Sequence, residues 1–90
     1  MEQTFNIPIQ MISVCSTLGD FTPLRFRYEN ELHEVETVVI SHVVARKETS
    51  FNGIRELQFT CEAQIGGILK LFIITYNIAS HTWRFFKLLH

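Results

Sequence analysis

The chain has 90 residues and a formal net charge of −1, with eight Lys and Arg against nine Asp and Glu. This length suits one domain, which we place over residues 1–90. A hydrophobic share of 47 % excludes an intrinsically disordered chain. The near-balanced charge lacks the basic excess typical of proteins that bind nucleic-acid phosphates.

The sequence carries no secretion signal and no candidate membrane helix. Residues 1–5 lack a basic region, and no apolar run leads from them to a cleavage site. The apolar stretch at 68–78 is shorter than the roughly 20 residues that a membrane helix needs, and Lys70 interrupts it. We therefore expect a cytoplasmic protein in which Cys15 and Cys61 form no disulfide.

The first half of the chain predicts three strands. The first covers about residues 5–14, where Pro8 favours an edge position. The second covers about 24–28, with Leu24 on the same face as Phe26, and the third about 32–46. A turn at 30–31 would join the last two in a register with four cross-strand pairs: Phe26–Val35, Tyr28–His33, Arg27–Glu34 and Arg25–Glu36.

The fourth strand has the clearest pattern, because apolar and polar residues alternate from Leu57 to Ile65. Its buried face includes Cys61. A two-residue turn at Gly66-Gly67 would then set the register of a fifth strand, whereas a three-residue turn would swap the faces of that strand. The two-residue turn predicts the pairs Ile65–Ile68, Cys61–Phe72, Phe59–Ile74 and Leu57–Tyr76.

A sixth strand is predicted from Trp83 to Leu89, and it is apolar on both sides, as are the fifth strand and the second half of the third. A long third strand of this kind bends to serve two sheets or closes a barrel. We therefore predict an all-β domain, a small six-stranded antiparallel, meander-rich, partly open barrel. The alternative is a two-sheet sandwich.

The order of these features resembles that of short, uncharacterised bacterial β-rich proteins. The resemblance rests on the strand at 7–14, the segment 19–28, the stretch Phe59-Thr60-Cys61 and the closing strand with Trp83. It extends over most of the chain as spacing alone. It implies the β-rich fold and brings no activity with it.

No catalytic, cofactor or metal-binding motif is present, so we predict no cofactor and no metal. His33, His42 and Cys61 lack the spacing of zinc ligands. A cysteine on a buried face usually acts as a small hydrophobe. The carboxylates at 29–36 are interpreted as solvated or paired with arginines.

The surplus of apolar strand faces supports the leading hypothesis, a non-catalytic protein-binding or self-assembly module. A homodimer is its simplest form, and an unknown protein partner is the other. The predicted interface residues lie on the fifth and sixth strands: Leu69, Leu71, Ile73, Phe86 and Leu88.

Two further functions stay open. Small barrels often bind nucleic acids, and here the predicted contacts would be Arg25, Arg27, Arg46, Lys47 and Phe51. The negative net charge and the neighbouring glutamates argue against this function. The other alternative is a small-ligand carrier or enzyme with a site in the barrel mouth, near Tyr28 and His33.

Overall fold

A computed structural model describes residues 3–89, which form six β-strands. The strands are β1 (Gln3–Cys15), β2 (Phe21–Glu29), β3 (Val35–Phe51), β4 (Ile54–Ile65), β5 (Ile68–Asn77) and β6 (Thr82–Leu88). Between residues 3 and 89 there is no helix long and apolar enough to cross a membrane.

Each strand pairs antiparallel with the next in sequence, and β1 pairs with β6, which closes the barrel. The predicted all-β, six-stranded antiparallel meander barrel is thus confirmed, and it is closed where the sequence predicts a partly open barrel. The predicted edge position of Pro8 is wrong, because β1 has neighbours on both sides. Pro8 lies opposite Arg84 of β6, just before the pairing of β1 with β2 begins at Gln10. The proline therefore interrupts no ladder on the β2 side.

The β4–β5 hairpin has the predicted register. Leu57 faces Tyr76, Cys61 faces Phe72, and Ile65 faces Ile68 across the two-residue turn. Gly66 and Gly67 have φ values of 63° and 80°. Positive φ at both central residues is what a tight hairpin turn with the right-handed twist of the strands requires.

The predicted β2–β3 register is wrong by three residues. Phe26 faces Val38, and Arg25 and Arg27 face Val39 and Thr37 rather than glutamates. The cause is a longer loop, in which Asn30 Oδ1 accepts hydrogen bonds from two backbone N–H groups further along, those of residues 32 and 34. An odd shift exchanges the two faces of a strand. Val38 therefore lies in the core at 3 % exposure, and the face of β3 with Val35 and Val39, which is predicted to point inward, is exposed.

β-Bulges bend the long strands. Residues 35–39 of β3 pair with β2, whereas residues 40–51 pair with β4, with irregularities at 40/42 and 43/45. A bulge also offsets β2 against β1, between Ile12 and Ser13. It explains why Leu24 is exposed although an inward position is predicted, and why Pro23 is buried in its place.

The core is aromatic. Phe26, Phe72 and Phe85 pack against one another with ring centroids 5.3–5.9 Å apart. Phe59 and Cys61 are also buried, at 1 % and 0 % exposure. Aromatic pairs at this distance stabilise a core by about 0.5–1.5 kcal/mol beyond the burial of their surface.

Candidate functional site

An apolar cavity of about 130 Å³ lies at one end of the barrel. We call it the open-end cavity, and its lining residues are Phe5, Ile7, Tyr28, Ile65, Lys70, Phe85 and Leu88. These residues lie near the start of β1 and β5 and near the end of β2, β4 and β6. The antiparallel meander therefore brings residues from five strands together at this end, and Phe85 belongs to the aromatic core as well.

Phe5 reaches the cavity through a bulge in β1. The pairing with β6 runs from Thr4–Lys87 to Ile7–Phe85, so that β1 has one more residue than β6 between these pairs. Asn6, within the bulge, has a φ of 51°, a conformation that asparagine tolerates better than most residues. Bulges redirect side chains, and Phe5 packs edge-on against Phe85 at 5.5 Å.

Tyr28 contributes the phenol of the cavity. Its hydroxyl donates a hydrogen bond to Oε2 of Glu36, a residue of β3. Partial burial, followed by the hydrogen bond to Glu36 and the negative charge of that carboxylate, together raise the pKa of Tyr28 to about 12. The phenol is therefore a neutral hydrogen-bonding group at physiological pH.

Lys70 supplies the positive charge beside the cavity. It lies opposite Ala63, which is fully buried, and it alternates with the buried Phe72 and Ile74. Cross-strand partners share a face, so Lys70 points inward, and its side chain lines the cavity. The sequence carries one signal for this site, because a single lysine interrupts the inward apolar row of β5.

A second cavity, of about 260 Å³, adjoins the first and shares Tyr28 and Ile65 with it. It lies where β3 leaves β4, because the β3–β4 pairing starts only at Ile40–Ala63. Glu36 and Gln64 line this second cavity but not the first. The Glu36 carboxylate is thus part of the second cavity and not of the apolar one.

The opposite end of the barrel is filled. The guanidinium of Arg46 lies 5.6 Å from the centroid of the Phe59 ring and donates a hydrogen bond to the carbonyl oxygen of Phe21. Trp83 packs against Phe59 and Tyr76 at 5.5 and 4.9 Å. The two ends of the barrel therefore differ, and the apolar cavity lies at the Tyr28–Lys70 end.

The residues predicted from the sequence for a barrel-mouth or metal site lie in different surroundings. Tyr28 lines the cavity, but His33 does not: its ring is on the β2–β3 loop, where Nδ1 lies 2.7 Å from Oε1 of Glu29. His42 is exposed and Cys61 is buried, and in residues 3–89 no three His, Cys, Asp or Glu side chains gather as metal ligands.

The predicted nucleic-acid contacts are divided between two places. Arg25 and Arg27 lie together on the outer face of β2. Arg46 is at the filled end, 3.9 Å from Asp20. Its guanidinium donates a hydrogen bond to the carbonyl oxygen of Phe21, at the start of β2, whereas Arg25 lies four residues further along that strand. Lys47 and the exposed Phe51 lie further along β3, so the five residues do not form one surface.

The predicted interface residues are also divided. Leu69, Leu71 and Ile73 alternate with buried residues of β5, so they lie on the outer face, and a bulge places Phe86 outside as well. Leu88 is a correction. It pairs with Phe72, packs against the core and lines the open-end cavity, because the bulge after Phe85 shifts the inward parity of β6.

These observations define a class of protein: a small closed antiparallel barrel with one filled end and one end that holds an apolar cavity. Comparison with protein-family models, with curated proteins and with solved structures finds no match to this chain.

Proposed function

We propose that this barrel is a non-catalytic binding module that holds a small apolar molecule in the open-end cavity. The observation that carries the proposal is the cavity itself, which is concave and almost wholly apolar. Ligand sites in proteins are usually of this kind, with a few polar groups that fix orientation. Tyr28 and Lys70 are those groups here.

The volume limits the ligand. At about 130 Å³ the cavity is smaller than the roughly 300–1,000 Å³ of sites for drug-sized molecules. It is close to the approximately 150 Å³ of an engineered apolar cavity that stays dry and binds benzene. A ligand of about one ring, or a short branched chain, fits this space.

Binding of toluene tests the proposal, with amide chemical shifts followed by nuclear magnetic resonance. We expect saturable shifts concentrated on Ile7, Ile65 and Leu88. Leu88→Phe fills the cavity and should abolish them. Leu71→Phe makes the same change on the outer face of the adjacent strand and should leave them intact. Absence of saturable shifts at the solubility limit of toluene would overturn the proposal.

A second candidate function, self-association, is favoured by the outer face of β5 and β6. Leu69, which is 55 % exposed, forms with Leu71, Ile73 and Phe86 an apolar row that we call the outer apolar row. Glu62 lies beside it on β4, opposite Leu71, and Lys87 lies beside it on β6, opposite Ile73.

The flanking charges make this face self-complementary. A two-fold axis parallel to β5 would stack two outer apolar rows and bring the Glu62 side of one copy over the Lys87 side of the other. The two charged residues are offset by two positions along the strand, or about 7 Å. We therefore propose a homodimer as the form of self-association. Light scattering of the parent chain and of the variants Leu71→Glu and Leu32→Glu tests it.

A further inference from the structure

We infer that the ligand of the open-end cavity is a small monocarboxylate, with its ring or chain in the cavity and its carboxylate on the ammonium of Lys70. This inference rests on the proposed binding function. It starts from the position of Lys70, the only charged residue in the inward row of β5 from Ile68 to Tyr76.

The small residue opposite Lys70 makes room for its side chain. Ala63 has 0 % exposure and presents only a methyl group across the ladder. The lysine stem can thus lie along the cavity wall while its ammonium stays near solvent at the barrel end. Such an arrangement leaves the charge beside apolar space that a ligand would occupy.

Within the described part of the chain, the Lys70 ammonium has no ion-pair partner. In residues 3–89, no carboxylate oxygen lies within 4.0 Å of Lys70, whereas Glu48 and Asp20 have arginine partners. Glu36, which contacts Tyr28 at this end of the barrel, accepts the hydrogen bond of the phenol and lines the neighbouring cavity instead. A carboxylate that enters with an apolar ligand therefore meets one positive charge without a competing acid in the same cavity.

Geometry and charge together select the ligand class. A neutral hydrocarbon fills the cavity but leaves Lys70 unused, and a cationic ligand places two like charges together. A ring with one carboxylate satisfies both the apolar walls and the ammonium, and benzoate is the simplest probe of this class. Hydrogen bonds to charged groups are stronger than neutral ones, so we expect benzoate to bind about tenfold more tightly than toluene.

The test compares benzoate, toluene and benzylammonium on the whole chain by the amide shifts described above. In the Lys70→Met variant, which keeps the length and apolar stem of the side chain, benzoate should lose its advantage while toluene binding is unchanged. Lys47→Met is the matched control, because Lys47 is exposed on β3 opposite Gln58, away from the cavity. It should leave the benzoate preference intact.

The outcomes separate the two proposals. If toluene and benzoate bind equally to the unmodified chain, the carboxylate inference is overturned and the binding function stands. An advantage of benzoate that survives Lys70→Met also overturns the inference, because another group then holds the carboxylate. If neither compound binds, the proposed binding function itself is overturned, and the inference fails with it.

Discussion

Arg84 on β6 binds Asn6 on β1 twice, at the seam where the last strand meets the first. Its Nε donates to Oδ1 of Asn6 at 2.8 Å, and its Nη2 donates to the carbonyl oxygen of the same residue. The two residues are 78 positions apart. This bidentate contact therefore joins the two ends of the chain where the barrel closes, and it holds the bulge that carries Phe5.

Replacement of Arg84 by Met should weaken this seam. Both hydrogen bonds involve a charged donor, and such bonds contribute about 1.5–3 kcal/mol when they are well shielded. Because this contact is exposed, we expect a loss of about 1 kcal/mol in the free energy of unfolding, measured by urea denaturation. Arg25→Met is the control on the exposed face of β2 and should change stability by less than about 0.5 kcal/mol. Equal effects of the two variants would contradict this role of Arg84.

Replacement of Gly66 in the β4–β5 turn should lower the stability of the barrel for a different reason. Gly66 has a φ of 63°, and a Cβ placed there would meet no atom within 4 Å. Gly66→Ala should therefore destabilise the barrel by about 1 kcal/mol through backbone strain and not through a steric clash. Gly66→Asn should cost less, because asparagine tolerates positive φ. Thermal unfolding of the two variants measures this difference, and an alanine variant as stable as the parent would contradict it.

The contrast between two hairpins shows what could be predicted from the sequence. The β4–β5 register agrees with local features, because strict alternation over 57–65 ends at two glycines that suit a two-residue turn. The fifth strand is apolar on both sides, so its own pattern does not exclude a three-residue turn. The β2–β3 register depends on the hydrogen bonds of Asn30 to two backbone N–H groups, which lengthen the loop. Side-chain capping of this kind competes with tight turns, and apolar spacing alone does not reveal it.

The cavity was harder to predict because bulges determine it. Bulges between Thr4 and Ile7 in β1, and after Phe85 in β6, bring Phe5 and Leu88 to the open end. Each bulge reverses the alternation that sequence patterns rely on, and this explains why Leu88 is predicted outside and lies inside. Tyr28 was placed at the barrel mouth from the sequence, whereas the inward position of Lys70 follows only from the observed register.

The phenol of Tyr28 should titrate late. Its pKa, raised to about 12 by burial and by Glu36, exceeds the value of about 10 of an unfolded tyrosine. Between these values the unfolded chain has lost the proton that the folded chain keeps, so the stability contributed by Tyr28 is present below pH 10 and is lost as the pH rises toward 12. The ultraviolet absorbance of phenolate measures the titration of both tyrosines. The Tyr28→Phe variant shows which part of this absorbance change comes from Tyr28.

Glu36→Gln provides the matched variant for this titration. It removes the negative charge but keeps a hydrogen-bond acceptor, so the pKa of Tyr28 should fall while burial still holds it above the ordinary value. The parent protein should also lose stability with rising pH more steeply than Tyr28→Phe. An unchanged phenolate midpoint in Glu36→Gln would show that the carboxylate has no influence on the phenol.

The two cysteines should react very differently. Cys61 is fully buried, and burial raises the pKa of its thiol to about 12, whereas Cys15 is exposed. Only a thiolate attacks disulfide reagents, so one thiol of the native chain should react quickly and the second only after denaturation. In Cys15→Ser the fast phase should disappear. A fast phase that remains in this variant would show that Cys61 reaches solvent in the folded state.

Self-association through the outer apolar row predicts a mass of twice the 10.5 kDa chain by size-exclusion chromatography with light scattering. Leu71→Glu places a charge in the centre of the row, beside Glu62, and should return the mass to that of one chain. The barrel should stay folded, because Leu71 faces away from the core. Leu32→Glu is the control: Leu32 is 76 % exposed on the β2–β3 loop, and its replacement should leave the mass unchanged. If the parent protein has the mass of one chain even at high concentration, the outer apolar row does not form a dimer interface. Binding would then rest on the open-end cavity, which is built from the inward residues of the same strands.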